Sequence, residues 1–525
     1  MLFNSYIFIF AFLPITFSIY FILAKYKSGE MAISFLVIAS LFFYGWWNPI
    51  YLALIILSIS VNYFVGEAIV RSRTISKNRH TKALFISGLL FNLGLLAYFK
   101  YANFIIENFN LFFGFTSQIN EIILPLAISF FTFQQIAYLV DTYKGITKEF
   151  KFTHYVLFVT FFPQLIAGPI VHHKEMLPQF LKLDNMKPNL DNIVIGANIF
   201  ALGLFKKVVL ADGIAQYSSP VFNAALTGEP LSLFVAWGGA LAYTFQLYFD
   251  FSGYSDMAIG IARMFGIRLP LNFFSPYKSL SIIEFWRRWH ITLSRFLRDY
   301  VYFSLGGNRR GKTRRYINLF TTMLLGGLWH GAGWTFILWG GLHGMYLVTN
   351  HAWHYIQQRL KLEGLNQLSL WRVFSWFLTF VSVVNGWVFF RAENFDAALV
   401  ILRGMYGFDG VALPNAITAR LGGLSSIISD LGITTFIGGG SQFIFTYLWL
   451  ALLMFIAFTL PNTQQIMDSL HKEESEQGDA LFNQGLFHNT LKFRYSMGWA
   501  FIMSGALVIA IFGMTRVSEF LYFQF

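Results

Sequence analysis

Residues Leu324–Phe336 read LLGGLWHGAGWTF and place His330 inside a long uncharged stretch. That stretch covers 316–349, which is 34 positions without Asp, Glu, Lys or Arg. As one helix it would measure about 51 Å, well beyond the roughly 30 Å thickness of bilayer hydrocarbon. The stretch therefore predicts two membrane segments with a break between them. Glycines on both sides of His330 offer the places for that break.

The composition extends this membrane assignment to the whole chain. Of its 525 residues, 56% are hydrophobic and 12% are charged, whereas soluble proteins carry about 25% charged residues. The chain has no cysteine, which excludes disulfides and thiolate chemistry. Its net charge of +12 fits basic loops beside anionic lipid. We therefore expect the lipid bilayer as a partner, and no nucleic acid.

Apolar runs of about 20 residues, long enough to cross a bilayer, recur along the chain. The first has no signal-peptide cleavage site and is expected to be retained as a span. We predict an all-α, polytopic membrane protein with about a dozen transmembrane or re-entrant helices. The predicted segments are 5–24, 31–47, 50–70, 83–105, 121–141, 154–171, 192–212, 231–262, 316–349 as two segments, 372–390, 443–460 and 496–516.

The whole chain, 1–525, is expected to form a single membrane-embedded domain. Its catalytic core would cover about 120–350, followed by additional C-terminal spans over about 370–525. Basic residues concentrate in alternate early loops, most clearly in RSRTISKNRHTK at 71–82. By the positive-inside rule this loop is cytoplasmic and the N-terminus lies outside.

Two regions depart from simple spans. FFPQLIAGPIVHHKE at 161–175 is interrupted by proline and glycine, which predicts a re-entrant or kinked element lined by protein or water. The region 275–316 alternates aromatic and aliphatic residues with arginines. This pattern favours an amphipathic helix at the cytoplasmic interface, with NRRGKTRR as a cytoplasmic loop. Such a helix could equally serve only to hold the topology.

His330 is a candidate general base. Lipid and protein around it disfavour an imidazolium without a partner, so the ring is expected to stay neutral with one nitrogen free to accept a proton. Ionisable residues inside a membrane are functional candidates by default. The alternative is a structural histidine whose ring is bonded to a carbonyl of a neighbouring helix.

A second histidine, His290, lies in WRRWHITLS. The interfacial helix could direct it inward toward His330 while its arginines face the lipid headgroups. Two converging histidines would supply a base and an orienting or oxyanion-stabilising partner. His343 lies 13 residues after His330, about 220° away on an ideal helix, so the two are not expected to share a face.

Other polar groups give weaker indications. Asp250 and Asp256 are costly inside an apolar span and need partners, for which Arg263, Arg268 or a catalytic histidine are candidates. A helix-packing role for the two carboxylates is as good an explanation as a catalytic one. The adjacent histidines of HHKE at 172–175 diverge, so no metal site is predicted. No HExxH, GxSxG or Walker A motif occurs.

Several ordered motifs together resemble the membrane-bound O-acyltransferase family, in particular its bacterial alginate O-acetyltransferase branch. The resemblance covers nearly the whole chain, apart from 413–440. The motifs are FDFSGYSDMAIGIARMFG, PYKSLSIIEFWRRWHITLSRFLRDYVYFSLGGNRRG, GGLWHGAGWTFILWGGLHG, QLIAGPIVHHKEMLPQF at 164–180, GWVFFRAENFDAAL at 386–399 and the closing SEFLYFQF.

The resemblance implies a helical bundle around a central catalytic tunnel, with His330 and His290 at the family's two histidine positions. It implies transfer of acetyl from a cytoplasmic donor, acetyl-CoA, across the bacterial inner membrane onto an exported polysaccharide such as alginate, aided by periplasmic partner proteins. No bound cofactor is expected. The residues assigned to the acyl donor and tunnel are Trp329, Trp286, Arg287, Arg288, Asp250 and Ser255.

Two alternatives remain open at this point. One is D-alanyl transfer to teichoic acid by a related branch of the family, although that branch is shorter after FFRAENF. The other is a polysaccharide transporter or channel without chemistry. Transporters usually contain repeated halves with paired broken helices, and the sequence shows no such repeat.

Overall fold

The structure is a computed structural model, and the residues that it describes are 1–75, 78–114, 122–147, 151–420, 422–467, 491–515 and 521. These residues are almost entirely helical, and the predicted all-α, polytopic fold class is confirmed. Within them, six helices are long and apolar enough to cross a membrane.

The first half of the chain contains nine helices that we number in order among the described residues. They are α1 (Phe8–Tyr26), α2 (Gly29–Gly45), α3 (Ile50–Thr74), α4 (Asn78–Phe113), α5 (Ile128–Lys144), α6 (Phe152–Thr160), α7 (Phe162–Leu165), α8 (His173–Phe180) and α9 (Leu190–Leu226). The six spans include α1, α3, α4 and α9.

The second half continues with longer central helices and shorter connecting ones. They are α10 (Leu233–Met264), α11 (Ile282–Arg288), α12 (Ile291–Phe296), α13 (Gly311–His330), α14 (Trp334–Arg359), α15 (Ser369–Arg391), α16 (Phe395–Met405), α17 (Asn415–Thr418), α18 (Leu424–Asp430), α19 (Gly440–Thr459), α20 (Thr463–Met467) and α21 (Met497–Gly513). The remaining two of the six spans are α15 and α19.

Several short elements complete the described part of the chain. Three 3₁₀ turns lie at Leu183–Met186, Pro276–Lys278 and Glu363–Gln367. Wider, π-helical turns occur at Phe8–Phe12, Ala97–Tyr101, Lys206–Ala211 and Leu297–Tyr302. Strands β1 (Ala412–Pro414) and β2 (Thr434–Phe436) pair in parallel, with Ala412 opposite Thr434.

Helix α10 is the centre of the bundle. Every residue from Gly238 to Ala262 is buried, as expected for a helix surrounded by other helices on all sides. Glycines let α9 approach it closely: a Cβ on Gly203 would lie 2.6 Å from the Gly253 carbonyl oxygen, so a larger residue would push the helices apart. This helix carries Asp250, Asp256 and Ser255, which are therefore shielded from lipid by protein.

The uncharged stretch 316–349 breaks as its length predicts. Helix α13 ends at His330 and α14 begins at Trp334, with Gly331 and Gly333 extended between them. The two helices then pack as a tight hairpin. A Cβ on Gly340 would lie 2.5 Å from the Met323 carbonyl oxygen, so small residues permit this approach.

The other irregular regions differ in how well they were predicted. The interruption within 161–175 is confirmed, since α6 ends at Thr160 and the short α7 and α8 follow. The single amphipathic helix expected within 275–316 is wrong. The chain forms α11 and α12 with a break at Trp289 and His290, because His290 adopts a left-handed conformation that no α-helix contains.

Candidate active site

His330 is the last residue of α13, at the point where the uncharged stretch breaks. Its side chain is buried, with 5% of the residue exposed. Rings of Trp339 and Phe390 approach it edge-on, each with a centroid 5.1 Å from that of the imidazole. Within the part of the chain that the structure describes, Nδ1 of His330 has no hydrogen-bond partner. A buried polar atom left in this state is unusual and marks a place where a substrate group could bind.

His290 faces His330, and their ring centroids lie 6.4 Å apart. The histidine lies between α11 and α12 with φ 42° and ψ 54°, the left-handed region that residues other than glycine rarely adopt. The break directs the ring into the protein, where none of the residue is exposed. Strained backbone of this kind clusters at active sites, ligand clamps and switch regions.

Asn272 holds the His290 ring in place. Its Oδ1 lies 3.0 Å from His290 Nδ1, 2.9 Å from Thr292 Oγ1 and 3.4 Å from the Thr292 backbone nitrogen. Because a backbone N–H can only donate, this side of the amide must be the oxygen, and His290 Nδ1 therefore donates to it. The amide nitrogen of Asn272 donates to Ser255 Oγ at 3.2 Å. The neutral ring of His290 consequently carries its lone pair on Nε2.

His343 joins the same cluster, contrary to the helical-wheel argument. Its ring centroid lies 4.8 Å from that of Trp339, which also contacts His330. Trp286 donates its indole N–H to His343 Nδ1 at 3.2 Å. The prediction assumed one continuous helix from residue 330 to 343, whereas the chain reverses direction after His330. His343 is fully buried and was missed by the sequence reasoning.

The structure brings some of the predicted donor and tunnel residues together with the two histidines. Trp329 lies beside His330, with ring centroids 4.9 Å apart, and stacks on Phe133 at 5.0 Å. Trp286 contacts Trp339 at 5.9 Å, and Ser255 is bonded to the amide that orients His290. Their assignment to donor binding stays a prediction.

The carboxylates of α10 have partners other than those expected. Asp250 Oδ1 lies 2.7 Å from Lys207 Nζ, and Asp256 Oδ2 lies 2.6 Å from Lys206 Nζ. The expectation of Arg263, Arg268 or a catalytic histidine is therefore wrong. Both lysines come from the π-helical turn of α9, a wider turn that gives two consecutive lysines access to α10. Asp250 thus ties helices together, and its pairing favours the packing role.

The two arginines of α11 also have different surroundings. Arg287 is exposed, which is compatible with a role toward an anionic donor or headgroups. Arg288 is buried and bonds Glu284 at 2.7 Å, one turn earlier on the same helix. The expectation that the arginines of this helix face the headgroups is wrong for Arg288, because Glu284 neutralises its charge inside the protein.

The adjacent histidines of 172–175 lie outside the spans and point in different directions. His172 Nδ1 lies 3.0 Å from the Tyr300 hydroxyl, and His173 Nε2 lies 3.1 Å from Thr147 Oγ1. Burial lowers the pKa of His173 to about 4, so its ring is neutral at pH 7. Among the described residues, no three His, Asp or Glu side chains are placed to share a metal ion.

The fold and this cluster define a polytopic membrane protein with a buried histidine pair at its helix breaks. Residues 146–384 match the family model described as MBOAT, membrane-bound O-acyltransferase family. The chain is 44% identical to a peptidoglycan O-acetyltransferase of Helicobacter pylori over 89% of this chain and 91% of that protein.

Two further relatives widen the comparison. A probable alginate O-acetylase of Azotobacter vinelandii is 37% identical over the full length of both chains. A teichoic acid D-alanyltransferase of Streptococcus thermophilus is 31% identical over 50% of this chain and 68% of that protein. The chain belongs to the membrane-bound O-acyltransferase family, and it is an acyltransferase.

Proposed function

We propose that this protein moves acetyl groups from acetyl-CoA in the cytoplasm across the inner membrane for the O-acetylation of a polysaccharide outside it. The observation that carries the proposal is the buried His330 ring, whose Nδ1 has no hydrogen-bond partner among the described residues, 6.4 Å from the ring of His290. A neutral imidazole in such a place can take a proton from a hydroxyl that comes to lie beside it. A tunnel that lets donor and acceptor reach the two rings is part of the proposal.

The reaction balances with His330 as the base. The acceptor hydroxyl gives its proton to His330 and its oxygen attacks the thioester carbonyl carbon, forming a tetrahedral oxyanion. When that intermediate collapses, the C–S bond breaks and the CoA thiolate leaves. Protonated His330 returns its proton to the thiolate, so an O-acetyl ester and free CoA thiol are the products. No metal ion, oxidant or reductant is required.

His290 is assigned a positioning role. Its Nδ1 hydrogen is already donated to Asn272, which makes Nε2 a hydrogen-bond acceptor in the neutral ring. Stabilising an oxyanion would require a second proton on this buried ring, whereas accepting a hydrogen bond requires none. Loss of His290 should therefore misplace the reactants and leave a residual rate.

Overall similarity favours acetyl over D-alanyl transfer. The two acetylase relatives align over 89% and 100% of this chain, whereas the D-alanyltransferase relative aligns over 50%. The described helices α19 and α21 follow GWVFFRAENFDAAL and account for the extra C-terminal length. A non-catalytic channel fits less well, because a channel has no need of two converging imidazoles.

The final acceptor is a carbohydrate hydroxyl, and the relatives' names supply two classes, peptidoglycan and alginate-like exopolysaccharide. In either case the acceptor polymer lies outside the cell membrane. We infer that a periplasmic partner protein receives the acetyl group from this enzyme and delivers it to the polymer. Inner-membrane location follows from the cytoplasmic donor and the external acceptor.

The test uses His330→Ala in a strain that lacks the native copy, with ester-linked acetate measured in both purified peptidoglycan and exopolysaccharide. We expect acetate in one of the two polymers to fall by about 10²–10⁴-fold, the usual contribution of a general base. Polymer yield and membrane levels of the protein should not change. His354→Ala, on the exposed end of α14, is the matched control.

Other results would overturn the proposal. Normal acetate in both polymers with His330→Ala would remove the enzymatic role. Loss of the polymer itself would instead favour the channel. D-Alanine in place of acetate as the lost ester would favour the D-alanyl branch. For His290→Ala we expect a strong but incomplete loss of acetate.

A further inference from the structure

Lys100 is a buried lysine in the interior of α4, one of the six helices long enough to span a membrane. It lies in the π-helical turn Ala97–Tyr101, and 8% of the residue is exposed. A cation in such a position is costly unless it is fully bonded, and intramembrane ionisable residues are functional candidates. Nothing in the reaction above uses this lysine.

The ammonium group of Lys100 is fully bonded, largely to the end of α13. It donates a short hydrogen bond to the Trp329 carbonyl oxygen and a 3.1 Å hydrogen bond to that of His330. A third acceptor, Ser129 Oγ on α5, lies 3.3 Å away. An ammonium has three N–H donors and no acceptor site, so three acceptors match its charged form.

The next residue of α4, Tyr101, bonds one more carbonyl at the end of α13. The Tyr101 hydroxyl donates to the Leu328 carbonyl oxygen at 2.8 Å. Helix α13 therefore has the carbonyls of its last three residues, Leu328, Trp329 and His330, bonded to two consecutive side chains of α4. We call Lys100 and Tyr101 the α4 clamp.

The end of a helix needs such partners. The last four carbonyls of an α-helix have no N–H partner within the helix, and in a buried site water cannot replace it. These carbonyls also carry the partial negative charge of the helix dipole, which a cation stabilises. The next residue, Gly331, is extended, so the chain leaves the helix directly after His330.

We propose that Lys100 is a positioning residue for His330, acting through the backbone of the last turn of α13. This inference rests on the proposed function, since His330 is the base only in that reaction. Without the clamp, the last turn would have to rearrange to satisfy its carbonyls, and the imidazole of its final residue would move with it. A misplacement of about 1 Å can cost up to about 10²-fold in rate.

The test compares purified Lys100→Met, Lys100→Arg and Tyr101→Phe by turnover per folded molecule and by amide hydrogen exchange of residues 324–336. For Lys100→Met we expect kcat to fall by about 10- to 100-fold, a small change in KM for acetyl-CoA, and faster exchange. Arginine keeps the charge and its N–H donors, so Lys100→Arg should recover part of kcat. Tyr101→Phe removes one bond and should have the smallest effect.

Lys206→Met is the matched control. It removes a partly buried lysine, whose partner Asp256 lies on α10 and not on α13. We expect less folded protein but wild-type turnover per folded molecule and unchanged exchange of residues 324–336. A structural role alone for Lys100 would give the same pattern in Lys100→Met, and that result would overturn the inference.

Hydrogen exchange separates this inference from the proposed function. A wild-type protein that transfers no acetyl, together with faster exchange in Lys100→Met, would remove the proposed reaction and keep the clamp. Full turnover and unchanged exchange in Lys100→Met would remove the clamp and keep the reaction.

Discussion

His290 adopts a backbone conformation that costs roughly 1–3 kcal/mol for a residue other than glycine. The surrounding structure compensates through Asn272, whose backbone oxygen accepts from Ile291 N at 2.9 Å and whose side chain bonds both His290 and Thr292. One asparagine thus fixes the break between α11 and α12 and the ring direction of the histidine at that break.

This arrangement predicts the effect of changing Asn272. Asn272→Leu removes the acceptor for His290 Nδ1, so the ring loses its fixed orientation and we expect turnover per folded molecule to fall by about 10- to 100-fold. Asn272→Asp keeps an acceptor and should retain more activity than the leucine variant. The measurement is acetyl transfer by purified protein, normalised to its folded fraction.

Asn92→Leu is the matched control for that experiment. Asn92 is also a buried amide, paired with Asn62 across α3 and α4. The Asn92→Leu variant should be less stable than wild type and should keep the wild-type turnover per folded molecule. Equal turnover in Asn272→Leu and wild type would show that the His290 orientation does not matter.

The sequence predicted single residues unevenly. His330 and His290 were recognisable because a titratable group in an apolar or aromatic run is costly to bury, and a functional role is a common reason for its presence. Lys100 lies in a run predicted as a span, yet nothing near it in the sequence points to the end of α13 more than two hundred positions later. Asn272 gave no signal of its own, since a lone asparagine in a loop is common.

At the level of elements, the hairpin of α13 and α14 holds His330 at its tip. The two helices touch through backbone at Gly340, where a Cβ would lie 2.5 Å from the Met323 carbonyl oxygen. At the next position, Gly341, the nearest atom to such a Cβ is Leu324 Cδ1 at 3.7 Å, an ordinary contact. A methyl group therefore fits at Gly341 and does not fit at Gly340.

We predict that Gly340→Ala destabilises the protein by about 1–3 kcal/mol through overpacking. Gly341→Ala should be neutral or slightly stabilising, because alanine is the better helix former. Thermal unfolding in detergent measures both, with parallel acetyl-transfer assays. If the two variants unfold at the same temperature, the close approach of α13 and α14 at Gly340 is wrong.

Length and hydropathy were sufficient to predict the break in this hairpin, because 34 uncharged residues in one helix would measure about 51 Å against roughly 30 Å of hydrocarbon. They were not sufficient for the region 275–316. There the apolar residues follow helical spacing throughout, and the break depends on Asn272, which precedes the region. His343 was misplaced by treating α13 and α14 as one helix after a break had been predicted.

On the scale of the whole molecule, buried polar groups join helices that are distant in sequence. Lys207 contacts both Asp250 and Asp212, at 2.7 Å each, and the backbone N–H of Leu521 donates to Asp250 at 3.3 Å. The sequence indicated that Asp250 needed a partner, but it did not identify Lys207 as that partner. Such pairings depend on the three-dimensional arrangement of α9, α10 and the C-terminal residues.

His173 predicts how the stability of the whole protein depends on pH. Its pKa is lowered to about 4 by burial, with smaller contributions from His172 and Lys174, against about 6.5 when unfolded. Between these values the unfolded chain binds the extra proton, so stability is complete above pH 6.5 and falls as the pH drops toward 4. The contact of His173 with Asp141 at 3.7 Å is not an ion pair at neutral pH.

We expect His173→Gln to weaken this acid sensitivity, by about 2 kcal/mol between pH 7.5 and 5. Thermal unfolding between pH 7.5 and 5 measures it in both proteins, with His354→Gln as an exposed control. Equal pH dependence in wild type and His173→Gln would contradict the assignment of a neutral, buried ring.

The central claim is that the buried imidazole of His330 is the base of an acetyl transfer, and its most direct measurement is the reaction itself. Purified protein in lipid vesicles would receive acetyl-CoA on one side and the acceptor on the other, with release of CoA thiol recorded. The account predicts acceptor-dependent release by wild type and a fall to background in folded His330→Ala. Wild-type release by His330→Ala would contradict it.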